Sequence, residues 1–324
     1  MYLHLVILVT MDKCASFPRA TSDLGRSMMR RFFPEDKFAF EKGMKSITPQ
    51  MAGWKYSGLS IIQLQPNIPH FLTENVLANA EGALIPLDVT NVKVTVNDMV
   101  FTLKGRRGVF EGASDWIYCS PGSRIEITST HAGEVAIATA VAQARFPSCY
   151  VDALTVVEIR GAGDATREVR PFMHPDNFSN ADRLMAVELI TPDGNTSSYP
   201  PHRHDGVGNC RIANEEIYYF RIGKLGRFHG DPEGFGFHRT YAGLEYEDPF
   251  DETVTIHDGD IYLVPRGYHG PSTALPGYPM YYLNVLAGEN SPRSMAFCDD
   301  PNHAWIRQSW ENLSPDPRVP WKVK

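Results

Sequence analysis

Residues Ser197 to Gly206 read SSYPPHRHDG and place two imidazoles, His202 and His204, one residue apart behind two prolines. Proline removes a backbone donor that a helix needs, so the pair belongs on extended chain. There, residues two apart point to one face, and both rings can reach a single metal ion. Glu215 and Glu216 open the run EEIYYFRI shortly afterwards. Alternation lets only one of them share the histidines' face. His269 follows in DGDIYLVPRGYHG, just after a β-forming run and a Pro–Gly turn. Two histidines, one carboxylate and a distant third histidine make a donor set for one divalent ion, Zn or Mn foremost, with Fe, Ni or Co also suited.

The elements that must position these groups read as strands. GLSIIQLQ, KVTVNDMVFTL, EVAIATAVAQARF, RLMAVELITP, GFGFHRTYA and MYYLNVLAG alternate or run apolar over short lengths between Gly, Pro, Asn and Asp clusters. No sustained 3.6-residue pattern competes with them. The expected fold is all-β, of the jelly-roll kind. The pattern also occurs twice, in Gly108–Thr128 and again in Val254–Thr273. Both copies run from a polar Gly-bearing turn through a β-rich stretch to a Pro and Gly turn. Two β-domains are therefore expected, 46–165 and 166–324, behind a poorly ordered leader over 1–45. The polar stretch Gly161–Arg183 reads as their connection.

Composition limits the partners. The net charge is −7 over 324 residues, and dense Lys/Arg clusters are lacking, which argues against nucleic acid. The apolar start MYLHLVILVT lacks a basic n-region and is too short to span a membrane. Five scattered cysteines without C-x-x-C argue against a disulfide framework and fit the cytosol, with Cys210 a spectator thiol. Sheet edges leave homo-oligomerisation open.

The run H-x-H, then Glu216 with Gly223 seven residues on, resembles the first cupin motif. Gly259, Pro265, Gly267 and His269 resemble the second. Two departures stand out: the His204–Glu216 gap is long, and the glycine before His202 is displaced. The Gly223 spacing favours Glu216 over Glu215. Longer stretches, GNTSSYPPHRHD, EEIYYFRI, GFGFHRTY, DETVTIHDGDIYLVPRGYHGPS and YYLNVLAG, with AGWKYSGLSIIQL and HAWI, are similar to the 5-deoxy-glucuronate isomerase family of inositol catabolism. The resemblance runs from about residue 50 onward. It implies a two-domain cupin (a bicupin) and conversion of 5-deoxy-D-glucuronate to 2-deoxy-5-keto-D-gluconate. It also implies His202, His204, Glu216 and His269 as metal ligands.

Such an aldose–ketose isomerisation moves one proton between adjacent carbons. A divalent ion can polarise the carbonyl and hold the neighbouring hydroxyl. The substrate, a small sugar acid, also carries a carboxylate that an arginine can grip. Arg239 is the first candidate, on a face shared with Phe235, Phe237 and Tyr241, and Arg266 is the second. Arg203 alternates away from the metal. Tyr218, Tyr268 and Tyr282 can bond sugar hydroxyls, with core packing the plainer role for Tyr282. Glu216 and Tyr218 are the candidate acid–base groups, alongside a metal-bound hydroxide. Asp205 can orient a ligand, and His238 reads as structural. The first domain offers no H-x-H, only isolated His70 and His131, with Arg124 or Ile125 near the late-histidine position, and reads as metal-free. A related uronate ketol-isomerase, an Fe(II)-dependent cupin dioxygenase and a non-enzymatic sugar-binding cupin are the competing readings.

Overall fold

The computed structural model describes residues 30–72, 74–264, 266–290 and 292–322. Most of the expected leader, 1–29, lies outside them. Among the described residues the α-helices are single turns, Glu74–Leu77 and Ile306–Ser309, and the rest of the regular structure is almost all antiparallel strand.

Four sheets make two sandwiches. In the N-terminal one, a six-stranded sheet runs Cys149–Val151, Trp116–Cys119, Ala80–Pro86, Gly133–Val141, Ser57–Leu64, Met44–Ile47. It faces a four-stranded sheet, His70–Phe71, Ile125–Ser129, Thr90–Val96, Met99–Gly105. In the C-terminal one, a seven-stranded sheet runs Phe32–Phe33, Ile261–Val264, Asn214–Ile222, Met280–Gly288, Met185–Thr191, Arg167–Arg170, Glu158–Arg160. Its partner runs Phe250–His257, Phe235–Ala242, Tyr268–Ala274, His202–Arg203, Cys298–Asp299. The two repeats seen in the sequence occupy matching places. Trp116–Cys119 and Ile261–Val264 lie beside the equivalent strands Ala80–Pro86 and Asn214–Ile222, and Ile125–Ser129 matches Tyr268–Ala274.

Each sandwich encloses its own apolar core, one around Leu84, Val94 and Ile137, the other around Val169, Phe220 and Tyr262. A third core lies between the halves, where Leu59, Ile61 and Ala138 meet Ile217, Leu283 and Val285. The large sheets are therefore apolar on both faces, and near-continuous hydrophobic runs replace strict alternation.

The expected boundaries shift at three places. Phe32–Phe33, inside the expected leader, pairs with Tyr262 and Ile261 at the edge of the C-terminal sheet, and Phe33 is buried. Glu158–Arg160 precedes the expected division at 165 yet pairs with Arg167–Arg170. Arg167–Arg170 itself falls in the stretch read as a connection, and it is a buried strand. Its charges disguised it. Glu168 and Arg170 are buried as a pair at 2.7 Å, which sequence polarity cannot reveal.

Candidate metal centre

The strand Asn214–Ile222 carries Glu216 into the C-terminal sandwich, where it is 2% exposed. Its Oε2 lies 2.9 Å from His204 Nε2 and 3.1 Å from His269 Nε2. Potential ligand atoms of these three residues all lie within 4.8 Å of one another. His202 stands beside them. It is the cross-strand partner of His269, with ring centroids 4.3 Å apart, and its ring packs on Phe297 at 4.5 Å. The loop before it nests against Gly270, whose φ is +98° and whose missing Cβ would lie 1.7 Å from the Ser198 carbonyl oxygen. Only glycine permits that approach.

The imidazole tautomers follow from their partners. His202 Nδ1 lies 3.1 Å from the Pro200 carbonyl, and His204 Nδ1 lies 3.1 Å from that of Asn214. A carbonyl can only accept, so both rings hold a proton on Nδ1, and each ring when neutral offers Nε2 as a lone pair. His204 then directs a lone pair at a carboxylate oxygen, an arrangement that requires a cation between them, either a proton or a metal ion. His269 is fully buried, and neither ring nitrogen has a hydrogen-bond partner. Such orphaned buried groups are rare and costly, and a divalent ion accepting the His269 Nε2 lone pair beside Glu216 would satisfy one of the two. The residues fit a metal.

The electrostatics agree. Burial works to raise the Glu216 carboxyl, but facing His269 and His204 outweighs it and holds the group well below the usual carboxylate range. Burial drives His269 well down and His202 down to about 4, so both stay neutral, as ligands must. His204 is pushed up, because Glu216 outweighs its burial. Asn284 Nδ2 donates to Glu216 Oε1 and fixes the carboxylate's orientation.

The cluster opens into a cavity of about 570 Å³, lined among others by His202, His204, Glu216 and Tyr218. Tyr218 shares the inward face of Glu216. Its hydroxyl lies 3.0 Å from Ser198 Oγ, and burial and Glu216 raise it well above the usual phenol range, so it remains a donor. Tyr282 stacks on Tyr218 at 4.8 Å, bonds Ser197 and Ser198, and does not line the cavity.

The arginine expectations need correction. Arg239 does share a face with Phe235, Phe237 and Tyr241, but that face points outward, and His238 and Thr240 point in. Arg239 pairs with Asp251 at 2.6 Å, and Arg266 binds the Asp248 carbonyl at 2.7 Å. Neither lines the cavity, and neither does Tyr268, which lies against Tyr241 and under Arg203. Asp205 does not touch an imidazole. It accepts from the Gly267 amide at 2.7 Å and braces the turn before His269. Sequence reasoning missed Arg167, Ser198 and Asn284, all of which line the cavity. Asn284 carried a signal, as the lone polar residue in the apolar run YYLNVLAG.

The structure also brings Cys210 and Cys298 together in a disulfide, with Cα atoms 5.7 Å apart. The expected spectator thiol has a partner 88 residues away: Arg203 pairs with Cys298 across two strands, and the loop after it returns Cys210 Sγ to within 3.4 Å of the Arg203 carbonyl. Sequence spacing cannot show a contact made by register.

In the N-terminal sandwich the matching positions carry other residues. His70 pairs with Ile127 as His202 pairs with His269. Gly82, next after Glu81, stands at the place of Glu216, and Leu72 at that of His204. The late-histidine position is therefore Ile127, two residues beyond the expected Ile125. A side chain at Gly82 would meet Leu77 and Ile137, which fill the space.

Two jelly rolls joined through their large sheets, with a His/Glu cluster in one, define a bicupin. Structures of the same fold include Bacillus subtilis oxalate decarboxylase, at TM-score 0.55 and 12% identity over 81% of this chain and 78% of that one. The KduI/IolB family pattern matches residues 33–306, and the chain belongs to that family. It is 33% identical to the 5-deoxy-glucuronate isomerase of Geobacillus thermodenitrificans, over 87% of this chain and 97% of that protein. The corresponding enzyme of Shouchella clausii is 34% identical over 79% and 90%. An IolB-like protein from Salmonella typhimurium superimposes with TM-score 0.74 at 30% identity, covering 86% of this chain and 99% of that one. Among the described residues no helix is long and apolar enough to cross a membrane.

Proposed function

We propose that this protein is a metal-dependent aldose–ketose isomerase, converting 5-deoxy-D-glucuronate to 2-deoxy-5-keto-D-gluconate in the cytosol. The observation that carries the reading is the convergence of imidazole Nε2 atoms on one ionised carboxylate at the wall of a sugar-sized cavity. Relatives named for this reaction, matched over nearly their whole length, support the substrate.

His202, His204, Glu216 and His269 would hold one divalent ion. Bound there, the ion supplies polarisation of the substrate carbonyl and a grip on the adjacent hydroxyl. The protein's own groups do the rest. Glu216, kept ionised, is the proton acceptor of the cavity. Tyr218, kept protonated, donates to a substrate oxygen. Asn284 and Ser198 hold these two in place. Val187 and Leu286 add apolar wall to the cavity that holds these groups.

The test is an anaerobic NMR assay of 5-deoxy-D-glucuronate with purified protein, with and without prior chelation. Loss of the aldehyde signal, with chelation abolishing it, is expected. Inertness of metal-loaded protein without oxygen, with turnover when oxygen is admitted, would transfer the site to a dioxygenase, for which the same ligands suffice.

A further inference from the structure

Arg167 is 7% exposed and lines the cavity of the histidine–glutamate cluster. Its strand sends alternate side chains to opposite faces. Glu168 and Arg170 pair on the face toward the N-terminal half, where Arg170 also donates to the carbonyls of Val109 and Gly112. Arg167 and Val169 take the cavity face. There, among the described residues, Arg167 has no carboxylate partner. One Nη donates to the Ala165 carbonyl at 3.2 Å, and Nε is buried with no partner at all. The other cavity-lining arginines are committed, Arg160 to Glu158 at 2.6 Å and Arg307 to Asp299 at 2.7 Å. Gly161 keeps the space open, since a Cβ there would lie 2.8 Å from Arg167 Nη1.

A guanidinium buried without a counter-ion is expensive, and its geometry is a fork made for two oxygens. Burial pulls its pKa down to about 10, which still leaves it charged at neutral pH. The cavity therefore has a fixed cation at one wall and the histidine–glutamate cluster at another. Val169 and its cross-strand partner Leu189 also line the cavity and give it an apolar wall.

We propose that Arg167 is the carboxylate anchor of the substrate, gripping the acid end while the aldehyde end meets the histidine–glutamate cluster. The apolar Val169–Leu189 wall then faces the methylene next to the carboxylate. This assignment rests on the isomerase reading, and it moves the anchor from Arg239 and Arg266 to a residue inside the cavity.

Steady-state kinetics on Arg167→Gln and Arg167→Lys, in the full chain with metal content measured, test it. KM for 5-deoxy-D-glucuronate should rise at least about tenfold in the glutamine variant, with kcat little changed and partial recovery in the lysine variant. Calorimetry separates the anchor from the reaction. Wild-type protein should bind D-gluconate about tenfold or more tightly than D-glucitol, and Arg167→Gln should lose that preference. Gluconate preference that depends on Arg167, in protein that does not turn over the deoxy-uronate, would keep the anchor and remove the isomerase. Wild-type protein that binds the two polyols alike, or a glutamine variant with unchanged KM, overturns the anchor. The wild-type comparison decides even where a variant fails to fold.

Discussion

Glu216 and the histidines around it differ in how firmly they are committed. His204, Glu216 and His269 form the compact set, and His202 stands at its side. Removal of one member of the compact set leaves two of its donors, with only His202 beside them. His269→Ala and Glu216→Gln should therefore purify without metal, while His202→Ala should retain a weakened share, all three read by elemental analysis after dialysis. Equal metal content in all of them would mean that the ion binds elsewhere. His238 gives a second prediction at this scale. It is fully buried among Tyr218, Phe220 and Tyr262, hydrogen-bonded to Ser272 at 2.8 Å, and burial pushes its pKa down to about 3 from 6.5. Between those values the unfolded chain binds a proton that the fold refuses, so stability rises with pH across that window and is lost on acidification. Wild type should lose about 2 kcal/mol more than His238→Gln between neutral pH and about pH 5. Urea midpoints at the two pH values measure the difference, and parallel losses would place the acid sensitivity elsewhere.

At the scale of elements, strand alternation made the histidine–glutamate cluster legible, because each member sits in a short local pattern. The same alternation misplaced Arg239. Period two says which residues share a face, not which face is inward, and aromatic neighbours made the outer face look like the inner one. Arg167 was hidden because REVR reads as linker until the fold buries Glu168 and Arg170 as a pair against the N-terminal half and leaves Arg167 alone. The neighbouring residue Glu215 shows what the outward parity is for. Its carboxylate accepts from the backbone amides of Lys55, Tyr56 and Ser57 at 2.7, 2.9 and 2.7 Å. Glu215→Ala should cost about 2–4 kcal/mol by stranding these donors, while leaving metal content unchanged. Chemical denaturation with elemental analysis checks both halves of that statement, and metal loss without destabilisation would contradict it.

The whole molecule repeats this device. Glu81, at the matching place in the N-terminal sheet, accepts from the amides of Asp182, Arg183 and Leu184 and from Tyr118. Each half thus ties down the chain that enters the other's large sheet. Between the ties lies the shared apolar core, with Arg221 reaching across to Glu134 at 3.2 Å and Asp88 at 3.4 Å. Halves that share a core and exchange anchors should unfold together. The intact protein should show one cooperative transition, and residues 158–322 expressed alone should aggregate or bind the apolar dye ANS. Two separate transitions, or a monomeric, dye-silent fragment, would mean that the halves are independent.

Glu81 lies in the half without the histidine–glutamate cluster, yet the backbone it holds leads directly into Met185–Thr191, whose Val187 and Leu189 wall the cavity. Where a change is written in the gene and where it is felt in the enzyme therefore differ. An inherited substitution in the silent half would read as a defect in the working one, and a survey of variants confined to the cavity would miss it.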